Sequence, residues 1–425
     1  MFTIAIAGLG TVGAGVVRLL RQNADLIAPR AGTQIVIKAV SAQVKSRKRD
    51  CDLSGIDWID NPEKLAQVPG VDAVVELVGG SSGVPRAIAE SALKNGKHFV
   101  TANKALIAAH GVELARLAEN NKVQLMFEAA VAGGIPVIKT IREGLAGNRI
   151  STVRGILNGT CNYILTRMRE AKLSFADALG EAQKRGYAEA DPTADVDGQD
   201  TANKLAILAA LAFGTTPDLA SIRMDGIRRI TQLDLQFAEE LGCRIKLLGV
   251  ARLTPAGLEQ HVGPSLIAKS SPLARVEGAL NAVSMHGDFI GDLMLEGQGA
   301  GAEPTASAVV ADIIDLARGR TQPAFGVPSA QLKTIGPAHA TVAARYYMRL
   351  HVMDKPGVVA DISAILRDET ISIESLIQRG KSATESVPVV ITTHDANAAA
   401  VYRGVDKIAH LKTVVERPCL LQIED

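Results

Sequence analysis

The chain has 425 residues, too many for one ordinary core, so two or three domains are expected, and 47% hydrophobic with 21% charged residues is the composition of a globular protein. A formal net charge of +1 excludes a global field for nucleic acid or a membrane surface, and 3% aromatic residues with one tryptophan, Trp58, argue against base-stacking surfaces. The four cysteines, Cys51, Cys161, Cys243 and Cys419, form no C-x-x-C pair, which disfavours a zinc site or a disulfide framework and suits a reducing cytoplasm.

The chain opens on an apolar run, Phe2 to Ala7, that leads straight into Gly8-Leu9-Gly10-Thr11-Val12-Gly13, after which apolar residues recur at helical spacing (Val12, Val16, Leu19, Leu20). A strand, G-x-G-x-x-G and a helix in that order are the fingerprint of a dinucleotide site. Gly8 permits the tight turn, Gly10 leaves room for the pyrophosphate, and Gly13 lets helix and strand pack closely, with the phosphates on N–H groups at the helix N-terminus. The run has no basic segment before it and ends in the glycine turn, so it is not a signal peptide, and no apolar stretch is long enough to span a bilayer.

The pattern then alternates: strands at 35–40 and 71–78, a helix near 84–95, a strand at 98–101, a helix near 105–120 and a strand at 123–127. Near-continuous apolar strands between helices predict a Rossmann-type doubly wound parallel sheet, whose ligand lies at the carboxyl ends of the strands. That puts Gly8 to Gly13, Gly79-Gly80, Thr101 to Lys104 and Glu128 on one rim. The second strand ends Val40-Ser41-Ala42-Gln43 without the carboxylate that would hold a ribose 2′-hydroxyl. Lys45, Arg47, Lys48 and Arg49 follow it. A missing acid beside several cations favours a 2′-phosphate, hence NADP, with NAD as the alternative.

From about 150 the texture changes. A strand near 152–157, helices near 161–171 and 198–212, and strand-like runs near 243–253 and 280–296 predict a second, α+β domain around an open sheet. A second glycine-rich turn, Gly297 to Gly301, precedes a helix opening at Pro304-Thr305. The expected division is 1–135 for the dinucleotide, completed by about 302–335, 136–301 for the substrate, a linker at 336–344, and a separate module over 346–425.

Residues 184–204 carry the chemistry. Glu189, Asp191, Asp195, Asp197 and Asp200 crowd a loop and would repel one another unless a cation sits among them. Asp200 and Lys204 are four residues apart on the same side of a helix. A protonated amine beside carboxylates can hand its proton to a forming alkoxide. The residues alone read sooner as an exposed ion pair worth ~0.2–0.5 kcal/mol on a solvated face.

Together these motifs resemble the homoserine dehydrogenase family over nearly the whole chain. The resemblance rests on the N-terminal fingerprint, Glu76 to Gly80, Thr101 to Ala105, Gly155 to Leu165, Gly186 to Pro192, Gly198-Gln199-Asp200 through Lys204-Leu205, and Gly299 to Ala308. It implies that Lys204 is the general acid/base on the substrate oxygen and that Lys104 sits between nicotinamide and substrate. It implies that Asp200 and Glu189 bind the amino-acid end of homoserine or aspartate semialdehyde, near Thr160, Tyr187 and Asp195. Gly186 and Gly301 would join Gly8, Gly10, Thr11, Val12 and Gly13 at the cofactor. A sodium ion is implied on Glu128 and the carbonyls of Val131, Gly133 and Ile135, where one carboxylate and a glycine-rich turn converge hard oxygen donors. Because the chain starts at the fingerprint, it reads as monofunctional; the resemblance further implies a cytoplasmic homodimer or homotetramer.

The tail from Tyr347 to Ile362, a strand, a D-x-P-G turn at Asp354 to Gly357 and an amphipathic helix, resembles an ACT domain of ferredoxin-like fold. That implies a small amino-acid effector, threonine, or a dimerisation role without ligand. Two rival readings remain: another NAD(P)-dependent dehydrogenase on the same scaffold, and a catalytically silent sensor of nucleotide and amino acid.

Overall fold

The computed structural model describes residues 1–338, 342–379 and 386–424, so residues 339–341 of the expected linker lie outside the described residues. The chain forms two compact units. The first comprises Met1–Gly159, Ala202–Ile222 and Leu280–Ile335, and the second Thr160–Thr201, Arg223–Ala279 and Gly336–Asp425.

In the first unit, β1 (Phe2–Ala7) enters α1 (Thr11–Gln22), α2 (Ala24–Ala31) returns to β2 (Ile35–Ser41), and β3 (Asp57–Trp58) borders it. Then follow β4 (Ala73–Glu76), α3 (Val84–Lys94), β5 (His98–Thr101), α4 (Lys104–Asn120) and β6 (Leu125–Met126). All pairs are parallel, in the order β3-β2-β1-β4-β5-β6. The doubly wound sheet expected from the apolar runs is therefore present. Strand order reverses beside β1, and the crevice at such a switch point is where ligands bind. The predicted strand at 123–127 shrinks to two residues at the sheet edge, where pairing has only one neighbour.

The core of this sheet joins Ile4, Ile6, Val75 and Val100 to Val16 and Val17 of α1 and to Ala306, Val309 and Ile313 of the helix Ala302–Ala317. That helix begins at Ala302, two residues before the predicted Pro304. A proline anywhere in the first turn gives up only an N–H that has no partner inside the helix, so Pro304 does not have to be its first residue. The same unit contains the antiparallel strands Ile150–Ile156, Leu280–Gly287 and Gly291–Gln298. The run read as one stretch over 280–296 is a hairpin.

The second unit holds the helices Gly159–Ala171 and Phe175–Lys184 and the long antiparallel pair Cys243–Thr254 and Gly257–Ala268. Its C-terminal part runs strand Ala343–Met353, helix Val358–Asp368, strands Ile373–Gln378 and Ser386–Thr393, helix Ala398–Ala409 and strand Cys419–Glu424. Cys419–Glu424 and Ser386–Thr393 flank Ala343–Met353, and Ile373–Gln378 lies outermost. This is the ferredoxin-like arrangement expected of the tail. Strand Cys419–Glu424 also pairs in parallel with Gly257–Ala268, so the module's sheet continues into its neighbour.

Candidate active site

Gly8 bends the chain out of β1. Its φ is +98°, and its N–H is held by the Ser41 carbonyl at 2.8 Å. A side chain there would meet the Leu77 carbonyl oxygen at 2.5 Å. Gly10 caps α1 with no side-chain hydrogen bond, and nothing stands within 4 Å of where its Cβ would be. The helix start is thus open to an anion, with first-turn N–H groups that the helix itself leaves unused. These observations fit a dinucleotide pyrophosphate on Gly8, Gly10, Thr11, Val12 and Gly13.

The next two loops of the rim are organised by Glu76, a residue to which sequence reasoning assigned no role. It is fully buried at the end of β4. Its Oε1 accepts the N–H groups of Val78 at 2.6 Å and Gly79 at 3.0 Å, and its Oε2 accepts the Thr101 hydroxyl at 2.6 Å. The Thr101 oxygen in turn accepts the Asn103 N–H at 2.9 Å, and Asn103 Nδ2 donates to the Gly80 carbonyl at 2.6 Å. Asn103 also caps α4 through the Leu106 N–H, which fixes Lys104 as the first helical residue. A carboxylate inside an otherwise apolar strand is the signal that could have found Glu76.

Glu128 is buried below this rim. Burial and the neighbouring Asp312 push its pKa up to about 7, against the opposing N–H of Lys139. Burial likewise holds Asp312 up at about 6. Glu128 accepts the N–H groups of Ile138 at 3.0 Å and Lys139 at 2.8 Å. Asp312 Oδ1 accepts no hydrogen bond, and Lys139 Nζ stands 3.6 Å from it while pairing more closely with Asp315. The loop between Val131 and Ile135 carries left-handed residues at Ala132 (φ +55°) and Gly133 (φ +43°) and binds the second glycine turn through Gly134 N–H to the Gln298 carbonyl at 3.0 Å. Among the described residues no group of three His, Cys, Asp or Glu side chains could hold a metal. A hard cation here would draw on the buried carboxylate and main-chain carbonyls together.

Lys204 lies on the helix Gln199–Phe213 with 8% of its surface exposed, and its Nζ donates to the Leu157 carbonyl at 2.6 Å, just past the strand Ile150–Ile156. Asp200, one turn earlier, is 7% exposed. Burial of both removes the reading of an ion pair on a solvated face.

In the second unit the Thr160 hydroxyl donates to the Tyr187 carbonyl at 2.5 Å, and the Tyr187 ring lies 4.8 Å from that of Tyr163. Gln183 Nε2 donates to the Glu189 carbonyl at 3.1 Å, Cys161 Sγ to that of Asp195 at 3.3 Å, and Gly186 (φ +76°) ends the helix Phe175–Lys184. Thr160 and Cys161, at the start of the helix Gly159–Ala171, thus hold the segment that carries Gly186, Tyr187, Glu189 and Asp195. The cation that the acidic loop requires includes Arg228, whose Nε donates to Asp197 at 2.6 Å. It is 31 residues away in sequence, and the local reading missed it.

A family model described as homoserine dehydrogenase matches residues 136–314, and one described as homoserine dehydrogenase, NAD binding domain, matches residues 8–128. The chain is 44% identical over 429 residues to the homoserine dehydrogenase of Neisseria gonorrhoeae, covering 99% of this chain and 98% of that one. Its structure superposes on the crystal structure of a homoserine dehydrogenase from Thiobacillus denitrificans with a TM-score of 0.93 at 42% identity, over 100% of this chain and 98% of the other. A hyperthermophilic archaeal homoserine dehydrogenase in complex with NADPH matches with a TM-score of 0.65 at 26% identity, covering 76% of this chain and 99% of its own.

Proposed function

The chain belongs to the homoserine dehydrogenase family, and from that premise we propose how its own residues carry the reaction. The activity is the NAD(P)-dependent interconversion of L-homoserine and L-aspartate 4-semialdehyde at a CH–OH carbon. The single observation that carries the mechanistic reading is the buried ammonium of Lys204, held by the Leu157 carbonyl at 2.6 Å. When bound, the nicotinamide supplies or accepts the hydride. Lys204 keeps a proton at Nζ for the substrate oxygen, Lys104 joins it from the start of α4, and Asp200 and Glu189 receive the substrate's ammonium, with Thr160, Tyr187 and Asp195 shaping the loop around them. Gly186 and Gly301 border the cofactor, which the turn from Gly8 to Gly13 holds by its pyrophosphate. The test is a spectrophotometric assay at the nicotinamide band with homoserine and each cofactor. An absence of turnover with homoserine favours the silent sensor, and turnover only with 2-hydroxy acids favours the other dehydrogenase.

NADP is the preferred cofactor in this reading. Arg49 spends its guanidinium on the loop itself, donating to the carbonyls of Val44 at 2.5 Å, Lys45 at 3.2 Å and Arg47 at 2.8 Å, which shapes the loop around the exposed cations Lys45, Arg47 and Lys48. A charge-assisted hydrogen bond contributes about 1.5–3 kcal/mol. The double variant Arg47→Ser, Lys48→Ser therefore lowers the ratio of kcat/KM for NADPH over NADH by at least about tenfold, read from initial rates.

Sodium on Glu128 and the carbonyls of Val131, Gly133 and Ile135 is structural in this reading. A ligand bound only by the folded state stabilises it by about 2.7 kcal/mol at a hundredfold excess over its Kd. Replacing choline by sodium at constant ionic strength thus raises Tm by several degrees, and the rise vanishes in Glu128→Gln. The tail is an ACT module that answers to an amino acid, threonine, and the chain works in the cytoplasm as a homodimer or homotetramer in threonine, methionine and isoleucine synthesis. Among the described residues no helix is long and apolar enough to cross a membrane.

A further inference from the structure

Within the first unit β1, β4 and β5 lie side by side, and the loops that leave their carboxyl ends form one stretch of rim. Glu76 and Thr101 are the last residues of β4 and β5, and the parallel register sets them opposite each other. Both are fully buried. The sheet therefore brings the Thr101 hydroxyl to Glu76 Oε2, at 2.6 Å, and leaves Oε1 for the N–H groups of Val78 and Gly79 in the next loop. That loop also touches the dinucleotide turn. The Leu77 N–H is held by the Ala7 carbonyl at 2.7 Å, and the Leu77 carbonyl oxygen closes the space beside Gly8.

These bonds close a ring. Thr101 accepts the Asn103 N–H, Asn103 Nδ2 donates to the Gly80 carbonyl, and Gly80 follows Gly79, whose N–H returns to Glu76. Gly79 and Gly80 are both left-handed, at φ +89° and +90°. Two such residues give a free loop many shapes, so the ring decides the one it takes. Asn103 is at the same time the N-cap of α4, and Lys104 is the residue that follows it. Burying a carboxylate is costly, and an apolar residue at the end of β4 would fill the same space without that cost. What the carboxylate adds is a fixed relation between two loops.

We propose that Glu76 is a positioning residue for the reaction: through Thr101 and Asn103 it holds Lys104 in place against the glycine loop. Full burial keeps Glu76 itself from cofactor and substrate, so its effect passes through the residues it binds. The inference rests on the reading of Lys104 as a group between nicotinamide and substrate.

The test is a double-mutant cycle in the full chain, with kcat measured on homoserine and NADP and Tm measured beside it. Thr101→Val keeps the shape of threonine but removes both the donor to Glu76 and the acceptor of the Asn103 N–H. The expected result is a fall in kcat of about 10–10²-fold, the scale on which a misplaced group near the chemistry loses rate. Thr101→Ser, which keeps the hydroxyl, regains most of that loss, whereas a packing role would follow the missing methyl group. Glu76→Gln, with one acceptor oxygen in place of two, lowers kcat in the same direction, and it replaces valine in the cycle if valine unfolds the chain. In the Lys104→Met background either substitution lowers kcat by less than about threefold further, because residues that act through one another are not additive. Native kcat in both Thr101→Val and Glu76→Gln, with Lys104→Met impaired, overturns the role of Glu76 and leaves that of Lys104. So does serine no better than valine, or a full loss repeated on top of Lys104→Met. Native kcat in Lys104→Met overturns the role of Lys104, and that of Glu76 with it.

Discussion

Replacing Lys204 by alanine lowers kcat by about 10²–10⁴-fold, the range that a positioned general acid contributes, while NADPH binds with its native Kd. The side chain is 8% exposed and anchored on the Leu157 carbonyl. An ammonium has three donors, so it can serve that carbonyl and a substrate oxygen at once. Its helix places it there through packing, because Ala202, Leu205, Ala206, Ile207 and Leu208 around it are fully buried. Lys204→Met occupies similar space without the proton and matches the alanine variant in kcat. Lys204→Arg keeps the charge but holds its proton too tightly to give it up, and does not restore turnover. Single-turnover hydride transfer with NADPH and aspartate semialdehyde, beside fluorescence titration of NADPH, separates the chemical step from cofactor binding. Native kcat in the methionine variant would remove Lys204 from the mechanism.

The parallel sheet was legible because its strands are covered on both faces. Ile4 to Ala7, Ala73 to Val75 and Phe99-Val100 are fully buried, and continuous burial writes continuous hydrophobicity. The strand Gly257–Ala268 was not legible for the opposite reason. It is mostly buried, but its buried Glu259 and half-buried His261 are partners of Arg252 and Glu424, whose positions no local pattern reveals. The glycine turn was readable from spacing, whereas spacing put Asp200 and Lys204 on one helix face without deciding between a site and an exposed ion pair. Glu76 and Arg228 were not readable from it: the first serves main-chain N–H groups of its own turn together with the distant Thr101, and the second neutralises Asp197 from another segment. Charge partners set by tertiary structure stay hidden from spacing rules that work over one helical turn.

The glycines of the first turn differ in what they forbid, and that difference predicts two distinct failures. At Gly13 an added Cβ would lie 2.0 Å from the Gly8 carbonyl oxygen, a main-chain atom that cannot rotate away. Gly13→Ala must therefore push α1 off β1, an overpacking of about 1–3 kcal/mol, and it disturbs the helix N-terminus that receives the pyrophosphate. Both Tm and NADPH affinity fall, the affinity by about 10²-fold or more, since several of the N–H groups that meet the phosphates move together. At Gly10 the protein itself offers no obstacle within 4 Å, and φ is −74°, which alanine adopts freely. Gly10→Ala thus changes stability by less than about 1 kcal/mol, the scale of a helix-cap substitution. Its methyl group occupies the space left for the pyrophosphate, so NADPH affinity falls while Tm holds. Thermal unfolding without cofactor and fluorescence titration with NADPH read the two effects separately. If Gly10→Ala binds NADPH as the native chain does, the pyrophosphate does not cross this turn, and the role given to the open helix start fails.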